Sequence, residues 1–231
     1  MIPGKNILVI YSSKDTPGMN DADGAFIPQA QAFSKFYGVP KLNMHGIPCP
    51  DLTNVQRFDR VLKALHENQG IKQIAMFCHG WSTGLQFGLN KPNIPRLIQW
   101  LSAACVPEVK LTLYACSTAS TNKDSRNIRM PGTNNGYADK LRDKMIEVGF
   151  RGGWVDAHLQ KGHTTENPFI MRFYVQPRWE KDYDMPGGEW LVSPQSQLWP
   201  AWKRAIQDDN GPFKYEFGQM TQAEIYARLS P

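Results

Sequence analysis

Residues 71–77, Ile-Lys-Gln-Ile-Ala-Met-Phe, and residues 109–115, Val-Lys-Leu-Thr-Leu-Tyr-Ala, are the two stretches that decide the fold. Each is a short apolar run of the kind that forms a strand buried inside a parallel sheet. Residues 6–11, Asn-Ile-Leu-Val-Ile-Tyr, have the same character. Helical patterns lie between these strands. Strands that alternate with helices indicate an α/β sheet with right-handed crossovers.

Three segments of the chain have the apolar spacing of amphipathic helices. In the first, Thr53 and Gln56 form a capping box, and Gly70 marks the end of the segment. Asn93 can cap the second, and Gly149 stands at the C-terminal cap position of the third. The apolar positions that define these helices are Val55, Phe58, Leu62 and Leu65, then Ile94, Leu97, Ile98 and Leu101, and finally Ala138, Leu141, Met145 and Ile146.

The chain divides by composition into a main domain and an extension. We expect an α/β domain over residues 1–176, with further strands over 150–158 and 169–176. Residues 177–231 hold four of the seven tryptophans, several prolines and a predicted helix near 195–207. This segment is too aromatic for a disordered tail, so we expect a Trp-rich C-terminal extension that packs on the sheet or forms an appended subdomain.

Composition and charge exclude several classes of protein. With 231 residues, 41% hydrophobic and 20% charged, the chain is neither collagen-like nor coiled coil nor wholly disordered. The net charge of +5 is not clustered in a run of Lys or Arg, so no nucleic-acid partner is expected. No apolar run approaches about 18 residues, so no membrane span is expected. The chain begins without the pattern of a signal peptide. Its four cysteines are too few for a disulfide scaffold and include no Cys-x-x-Cys pair, so we expect a reducing, cytoplasmic location.

Residues that carry chemistry follow two of the predicted strands. The first strand runs into Cys78-His79-Gly80-Trp81, and the second into Cys116-Ser117-Thr118. In an open parallel sheet, functional groups gather at the carboxyl ends of the strands, and neighbouring strands lie about 5 Å apart. If these two strands are neighbours, the imidazole of His79 lies near the thiol of Cys116. Cys78 then points to the opposite face and belongs to the core.

A thiol beside an imidazole suits nucleophilic catalysis. The thiolate is the nucleophilic form of cysteine, and an imidazole can take the thiol proton and later give it to a leaving amine. Gly80 has no Cβ, so a substrate carbonyl can approach its backbone closely. The backbone N–H groups of Gly80 and Cys116 are therefore the predicted oxyanion donors. Taken alone, each side chain has a structural interpretation, and only their matched placement favours catalysis.

The segments His79-Gly80-x-x-x-Gly84-x-Gln86-x-Gly88 and Leu113-Tyr114-x-Cys116-x-x-Ala119 together resemble the motif pair of caspase-fold (clan CD) cysteine peptidases. The similarity is closest to CHAT-like and related bacterial domains and covers roughly residues 5–176. It implies a caspase-like three-layer sandwich with a mainly parallel central sheet. It also implies His79 as the catalytic histidine, Cys116 as the nucleophile, and cleavage of a protein or peptide substrate. We expect no cofactor.

The sequence departs from this family pattern at a position that bears on specificity. Legumain and metacaspase relatives carry an acidic residue two positions before the cysteine, where this chain has Tyr114. Tyr114 is therefore a candidate substrate contact. The acidic candidates for a basic P1 residue are Asp15, Asp21, Asp23 and Asp156. The basic candidates for an acidic P1 residue are Arg126, Arg129 and Arg172. The sequence does not choose between them.

Two weaker patterns bear on metal binding. Asp21-x-Asp23-Gly24 matches part of a calcium loop, but positions 19 and 30 lack the required ligands, so only an irregular calcium site stays open. His158, His163 and Glu166 match no zinc spacing, and we interpret them as loop residues. No metal site is predicted.

Two other functions stay open. A catalytically silent caspase-like binding or scaffold module would keep the fold without turnover. An α/β-hydrolase is suggested by Phe77-Cys78-His79-Gly80-Trp81, which is similar to the oxyanion segment of that fold. However, the chain lacks the Gly-x-Ser-x-Gly elbow that such an enzyme needs. The sequence gives no indication of the oligomeric state.

Overall fold

The protein is an α/β structure with a seven-stranded, mainly parallel central sheet. The computed structural model describes residues 1–14, 26–120, 135–162, 165–176 and 187–230. Its strands are β1 (Ile7–Ser12), β2 (Met44–Ile47), β3 (Ile71–Phe77), β4 (Gly80–Trp81), β5 (Gly84–Leu85), β6 (Leu89–Asn90), β7 (Cys105–Tyr114), β8 (Trp154–His158), β9 (Ile170–Tyr174) and β10 (Glu189–Trp190). Its α-helices are α1 (Phe26–Tyr37), α2 (Asn54–His66), α3 (Ile94–Ala104), α4 (Tyr137–Glu147), α5 (Trp199–Gln207), α6 (Phe213–Glu216) and α7 (Gln222–Leu229).

The central sheet has the order β10-β9-β8-β7-β3-β1-β2. The strands from β8 to β2 run parallel to one another, whereas β9 and β10 are antiparallel to their neighbours. The short strands β4, β5 and β6 form a separate antiparallel meander directly after β3. The predicted α/β sheet is therefore confirmed, and β3 and β7 lie side by side at its centre.

Helices α2, α3 and α4 cover the first face of the sheet. Their buried apolar residues form one core cluster with the side chains of that face, such as Met76 and Leu113. The predicted capping box at α2 is confirmed, because the Thr53 hydroxyl accepts from the Gln56 N–H and the Gln56 side chain accepts from the Thr53 N–H. Asn93 precedes α3, but its side chain makes no capping bond to that helix. Each of these helices returns the chain to the amino ends of the strands.

Helices α1, α5, α6 and α7 cover the second face. This second core cluster includes Phe33 from α1 and three fully or almost fully buried residues of the C-terminal segment, Trp202, Phe217 and Ile225. The segment after residue 187 also adds β10 to the sheet. Trp202 donates its indole N–H to the Pro168 carbonyl at 2.8 Å. The C-terminal residues are thus built into the sheet and one of its two covering layers.

Several elements extend beyond the sequence predictions. Helix α1 was not predicted at all, although its buried residues Phe26, Ala30, Phe33 and Tyr37 follow a helical spacing. Strand β7 begins at Cys105 instead of Val109, and its pairing with β3 is irregular between Ile71 and Gln73.

The longest described helix, α2, has 13 residues, and no helix in the described ranges is long and apolar enough to cross a membrane.

Candidate active site

His79 and Cys116 follow neighbouring strands in matched register. In the parallel pairing of β3 and β7, Phe77 is the partner of Tyr114, and each of the two candidate residues lies two positions further on. Side chains alternate along a strand, so we expect His79 on the face of Phe77 and Cys116 on the face of Tyr114, each just beyond its strand end. Phe77 and Tyr114 both belong to the second core cluster, where their rings stack at 4.5 Å. The two strand ends therefore lie next to each other, with both candidates following residues of one face.

The chain turns sharply immediately after Cys116. Ser117 has a φ of 56°, in the left-handed region that non-glycine residues rarely adopt. The turn is held by the segment after β8, since the Ser117 N–H donates to the Gln160 carbonyl at 3.3 Å. The Cys116 thiol is half-buried and donates to the Gly162 carbonyl at 3.4 Å. Cys116 thus stands at a constrained strand-to-loop turn with part of its side chain open to solvent.

Gln86, in the meander after β3, fixes the main chain of His79. Its backbone N–H donates to the His79 carbonyl at 3.0 Å, and its side-chain Oε1 accepts from the His79 N–H at 3.4 Å. The imidazole is half-buried and lies perpendicular to the Phe26 ring, with 5.1 Å between the ring centroids. Gln86 is therefore a supporting residue of the site. The only sequence signal for Gln86 is its position in the motif that begins at His79, and that motif assigns it no role.

The Gly80 backbone touches the Cys116 turn. A Cβ at this position would lie 2.7 Å from the Cys116 carbonyl oxygen and 2.8 Å from both the Ala115 Cβ and the Thr118 Cγ2. Because Gln86 donates to the His79 carbonyl, Gly80 and Leu85 form a non-hydrogen-bonded pair, and the Gly80 N–H is directed away from β5. Only glycine allows these two chain segments to approach so closely.

Replacing Gly80 by Ala is expected to lower the free energy of unfolding by about 1–3 kcal/mol, the usual cost of overpacking. The added methyl group would collide with the backbone of the Cys116 turn, which cannot move aside as a flexible side chain would. Chemical denaturation measures the loss. A variant as stable as the parent protein would contradict this close contact.

Of the other three cysteines, Cys49 and Cys78 are buried and Cys105 is half-buried. Cys78 is fully buried in the first core cluster, on the face opposite to Phe77, as the alternation predicted. Burial raises the pKa of the Cys78 thiol well above its ordinary value, raises that of Cys49, and raises that of Cys105 to about 12. These thiols hold little thiolate at neutral pH, so they are poor nucleophiles.

Tyr114 lies beneath the site, not at a substrate-binding surface. Its side chain is completely buried, and its hydroxyl donates to the Lys214 carbonyl at 3.0 Å. This burial corrects the expectation that Tyr114 contacts the substrate. The alternation of β7 directs its ring into the core that the C-terminal segment completes. Burial also raises the pKa of the Tyr114 hydroxyl well above its ordinary value.

Asp156 and Arg172 pair with each other below the site. The Arg172 guanidinium donates to the two Asp156 carboxylate oxygens at 2.7 and 2.8 Å, and both side chains are almost completely buried. Neither is therefore placed to meet a substrate residue, which corrects the expectation for both. The remaining specificity candidates, Asp15, Asp21, Asp23, Arg126 and Arg129, lie outside the described residues.

His158 ends the strand that was predicted over residues 150–158. It is the last residue of β8 and is buried, which corrects its interpretation as a loop residue. Its carbonyl accepts from the Ala119 N–H at 3.0 Å, so it supports the turn after Cys116. Glu166 lies 3.9 Å from the Lys214 ammonium, and His163 lies outside the described residues. Within the described ranges, no group of three or more His, Cys, Asp or Glu side chains could hold a metal ion.

Neither a protein-family model, nor a curated protein, nor a solved structure matches this chain. The chemistry of the site is therefore argued from its own residues. A thiol and an imidazole follow adjacent strands, and the backbone of Gly80 touches the Cys116 turn with its N–H directed away from β5. This set can supply a nucleophile, a group that transfers protons and a hydrogen-bond donor for a developing negative charge.

Proposed function

We propose that the protein is a cysteine peptidase with a Cys-His dyad and a caspase-like fold. Cys116 is the nucleophile, His79 transfers the protons, and the backbone N–H groups of Gly80 and Cys116 stabilise the oxyanion. The substrate is a protein or peptide, and the reaction needs no cofactor. The observation that carries the proposal is the β3–β7 register, which puts His79 and Cys116 at the same distance beyond a paired Phe77 and Tyr114.

Two further observations support this assignment over the other cysteines. Cys116 stands at a strained turn and is half-buried, whereas Cys49 and Cys78 are fully buried. Cys105 lies at the start of β7, at the opposite end of the strand from the candidate site. Strain held at one position by surrounding hydrogen bonds is often found where a residue must be presented to a substrate.

The first half of the proposed reaction forms an acyl-enzyme. The Cys116 thiol gives its proton to the His79 imidazole, and the sulfur attacks the carbonyl carbon of the peptide bond. The carbonyl oxygen takes up the electron pair of its π bond as an oxyanion, which the two N–H groups stabilise. When the C–N bond breaks, the imidazolium gives its proton to the nitrogen, and the amine product leaves.

The second half returns the protein to its starting state. Water loses a proton to the His79 imidazole and attacks the thioester carbon. The C–S bond then breaks, the Cys116 sulfur leaves with the electron pair and takes the proton back from the imidazolium. The carboxylic acid product departs. The sum is the addition of one water molecule across one peptide bond.

Profiling the purified protein on a peptide library tests this function and reads out the P1 preference. We expect cleavage of a restricted set of peptides, with the Cys116→Ala protein as the blank that identifies contaminating proteases. A binding or scaffold module would cleave none of the peptides and would show the same profile as the blank. That result would reject the peptidase proposal.

A further inference from the structure

A cavity of about 220 Å³ lies between the start of α2 and the β4–β6 meander that follows His79. This volume is below the roughly 300–1,000 Å³ of typical small-molecule sites, so it suits a single side chain or chain end. Trp81, which is 43% exposed, forms part of the wall. Arg57 lines the cavity from α2, and Asn54 and Asn90 add polar groups. The cavity therefore offers an aromatic surface together with a positive charge.

The guanidinium of Arg57 has no carboxylate partner among the described residues. Its Nη1 donates to the Gln86 carbonyl at 3.2 Å and to the Asn54 Oδ1 at 3.3 Å, both neutral acceptors. Its Nε is buried without a hydrogen-bond partner in the described part of the chain. A partly buried charge is normally paired, because withdrawal from water is costly for an ion that lacks a counter-charge. The cavity thus has room for an anion next to a charge that needs one.

Gln86 connects this cavity directly to the candidate active site. The carbonyl of Gln86 accepts from Arg57, while its N–H and its side chain both bond to the main chain of His79. In the proposed mechanism, His79 protonates the leaving amine, so the residues after the scissile bond depart on the His79 side of Cys116. The meander that continues from His79 and Gly80 forms one wall of the cavity. A substrate in this position would extend toward Arg57.

We propose that this cavity binds a carboxylate of the peptide substrate on the leaving-group side of the scissile bond, and that Arg57 determines this specificity. The inference rests on the proposed peptidase function and names part of its substrate class. The carboxylate comes either from an Asp or Glu side chain or from the C-terminus of the leaving peptide. Both sources present the same group to the guanidinium, which binds carboxylates through paired N–H donors.

Matched peptide substrates test the inference. Glu, Gln or Lys is placed in turn at each of the four positions after the scissile bond, in peptides with amidated C-termini. A parallel set without acidic side chains has a free C-terminal carboxylate. We expect one Glu position, or one length of the free-carboxylate set, to raise kcat/KM about tenfold over its neutral counterpart, the factor that corresponds to about 1.4 kcal/mol. Lys at that position should lower kcat/KM.

Two variants identify the residue responsible. In Arg57→Gln, the ratio of kcat/KM for the carboxylate peptide to kcat/KM for its neutral counterpart should fall to about one. In Arg60→Gln, which removes an exposed arginine from the same helix, the preference should remain. The Glu and Gln comparison on the unmodified protein needs no variant, so the test survives if Arg57→Gln does not fold.

The outcomes separate the two proposals. Cleavage of the peptides without any preference for a carboxylate would overturn the assignment of the cavity and leave the peptidase function standing. If no peptide is cleaved, the peptidase function fails. Calorimetric titration of the same Glu and Gln peptides then tests separately whether the cavity binds a carboxylate. Tighter binding of the carboxylate peptide that is lost in Arg57→Gln would support it, and equal or absent binding would overturn it.

Discussion

Cys116→Ala is expected to abolish peptide hydrolysis, with kcat/KM falling by roughly 10⁴-fold or more. Without the Cys116 thiol, no acyl-enzyme can form. His79 alone cannot replace it, because a nucleophile and its proton-transfer partner act together in catalysis. The fold should survive, because the thiol is half-buried and its described hydrogen bond is a weak one to the Gly162 carbonyl. Turnover on the best library peptide and thermal unfolding measure the two effects.

Cys105→Ala is the matched control for this experiment. Cys105 is a partly buried cysteine of the same strand, but it lies at the end that is far from His79. This variant should keep its turnover. Hydrolysis that persists in Cys116→Ala would reject the assigned nucleophile.

Arg172→Met is expected to lower the free energy of unfolding at neutral pH by about 3–5 kcal/mol, the usual cost of removing one partner of a buried ion pair. The Asp156 carboxylate would lose both of its arginine hydrogen bonds. The Met220 and Phe217 carbonyls would lose the arginine N–H groups that tie the C-terminal segment to the sheet. Chemical denaturation at pH 7 measures the loss.

The loss should depend on pH in a defined direction. Burial raises the pKa of the Asp156 carboxyl, and the Arg172 guanidinium opposes that rise in the parent protein. Without the guanidinium, the folded state holds a proton that the unfolded chain releases above about pH 4. A raised folded-state pKa favours the native state at low pH. The variant should therefore lose stability as the pH rises from about 4, the ordinary pKa of an aspartate, up to the raised pKa of Asp156.

An exposed ion pair provides the control for Arg172→Met. Arg96 lies 3.3 Å from Asp59, and both side chains are more than half exposed. Arg96→Met should change the free energy of unfolding by no more than about 1 kcal/mol, because solvent screens such pairs. Equal losses of unfolding free energy in the two variants would contradict the claim that burial makes the Arg172 pair important for stability.

Local patterns were sufficient to predict most of the central sheet. The apolar runs that became β1, β3 and β7 read as buried strands, and the capping box at Thr53 located the start of α2. Helix α1 was overlooked because it follows a loop rich in Asp, Gly and Pro, although Phe26, Ala30 and Phe33 carry helical spacing. Strand β10 has only two residues, too few for any periodic signal.

The arrangement around the candidate site depended on contacts between distant parts of the chain. The relation of His79 to Cys116 followed from strand adjacency and alternation, which the sequence pattern supplies. The burial of Tyr114 did not, because the residue that receives its hydroxyl is Lys214, 100 positions later. Arg57 also gave no signal, since only the folded meander brings the Gln86 carbonyl to an arginine 29 positions earlier. Such pairings require the tertiary structure.

Site-resolved alkylation of the native protein tests the central claim most directly. Iodoacetamide labelling is followed by mass spectrometry across a range of pH, for the parent protein and for His79→Ala. Cys116 should label fastest, with a rate that rises through an ionisation at lower pH than that of a free thiol, and His79→Ala should move this ionisation to higher pH. Cys49, Cys78 and Cys105 should label slowly, because burial raises the pKa of each. Four slow and similar rates, or a Cys116 profile that His79→Ala leaves unchanged, would contradict a shared site for the imidazole and the thiol.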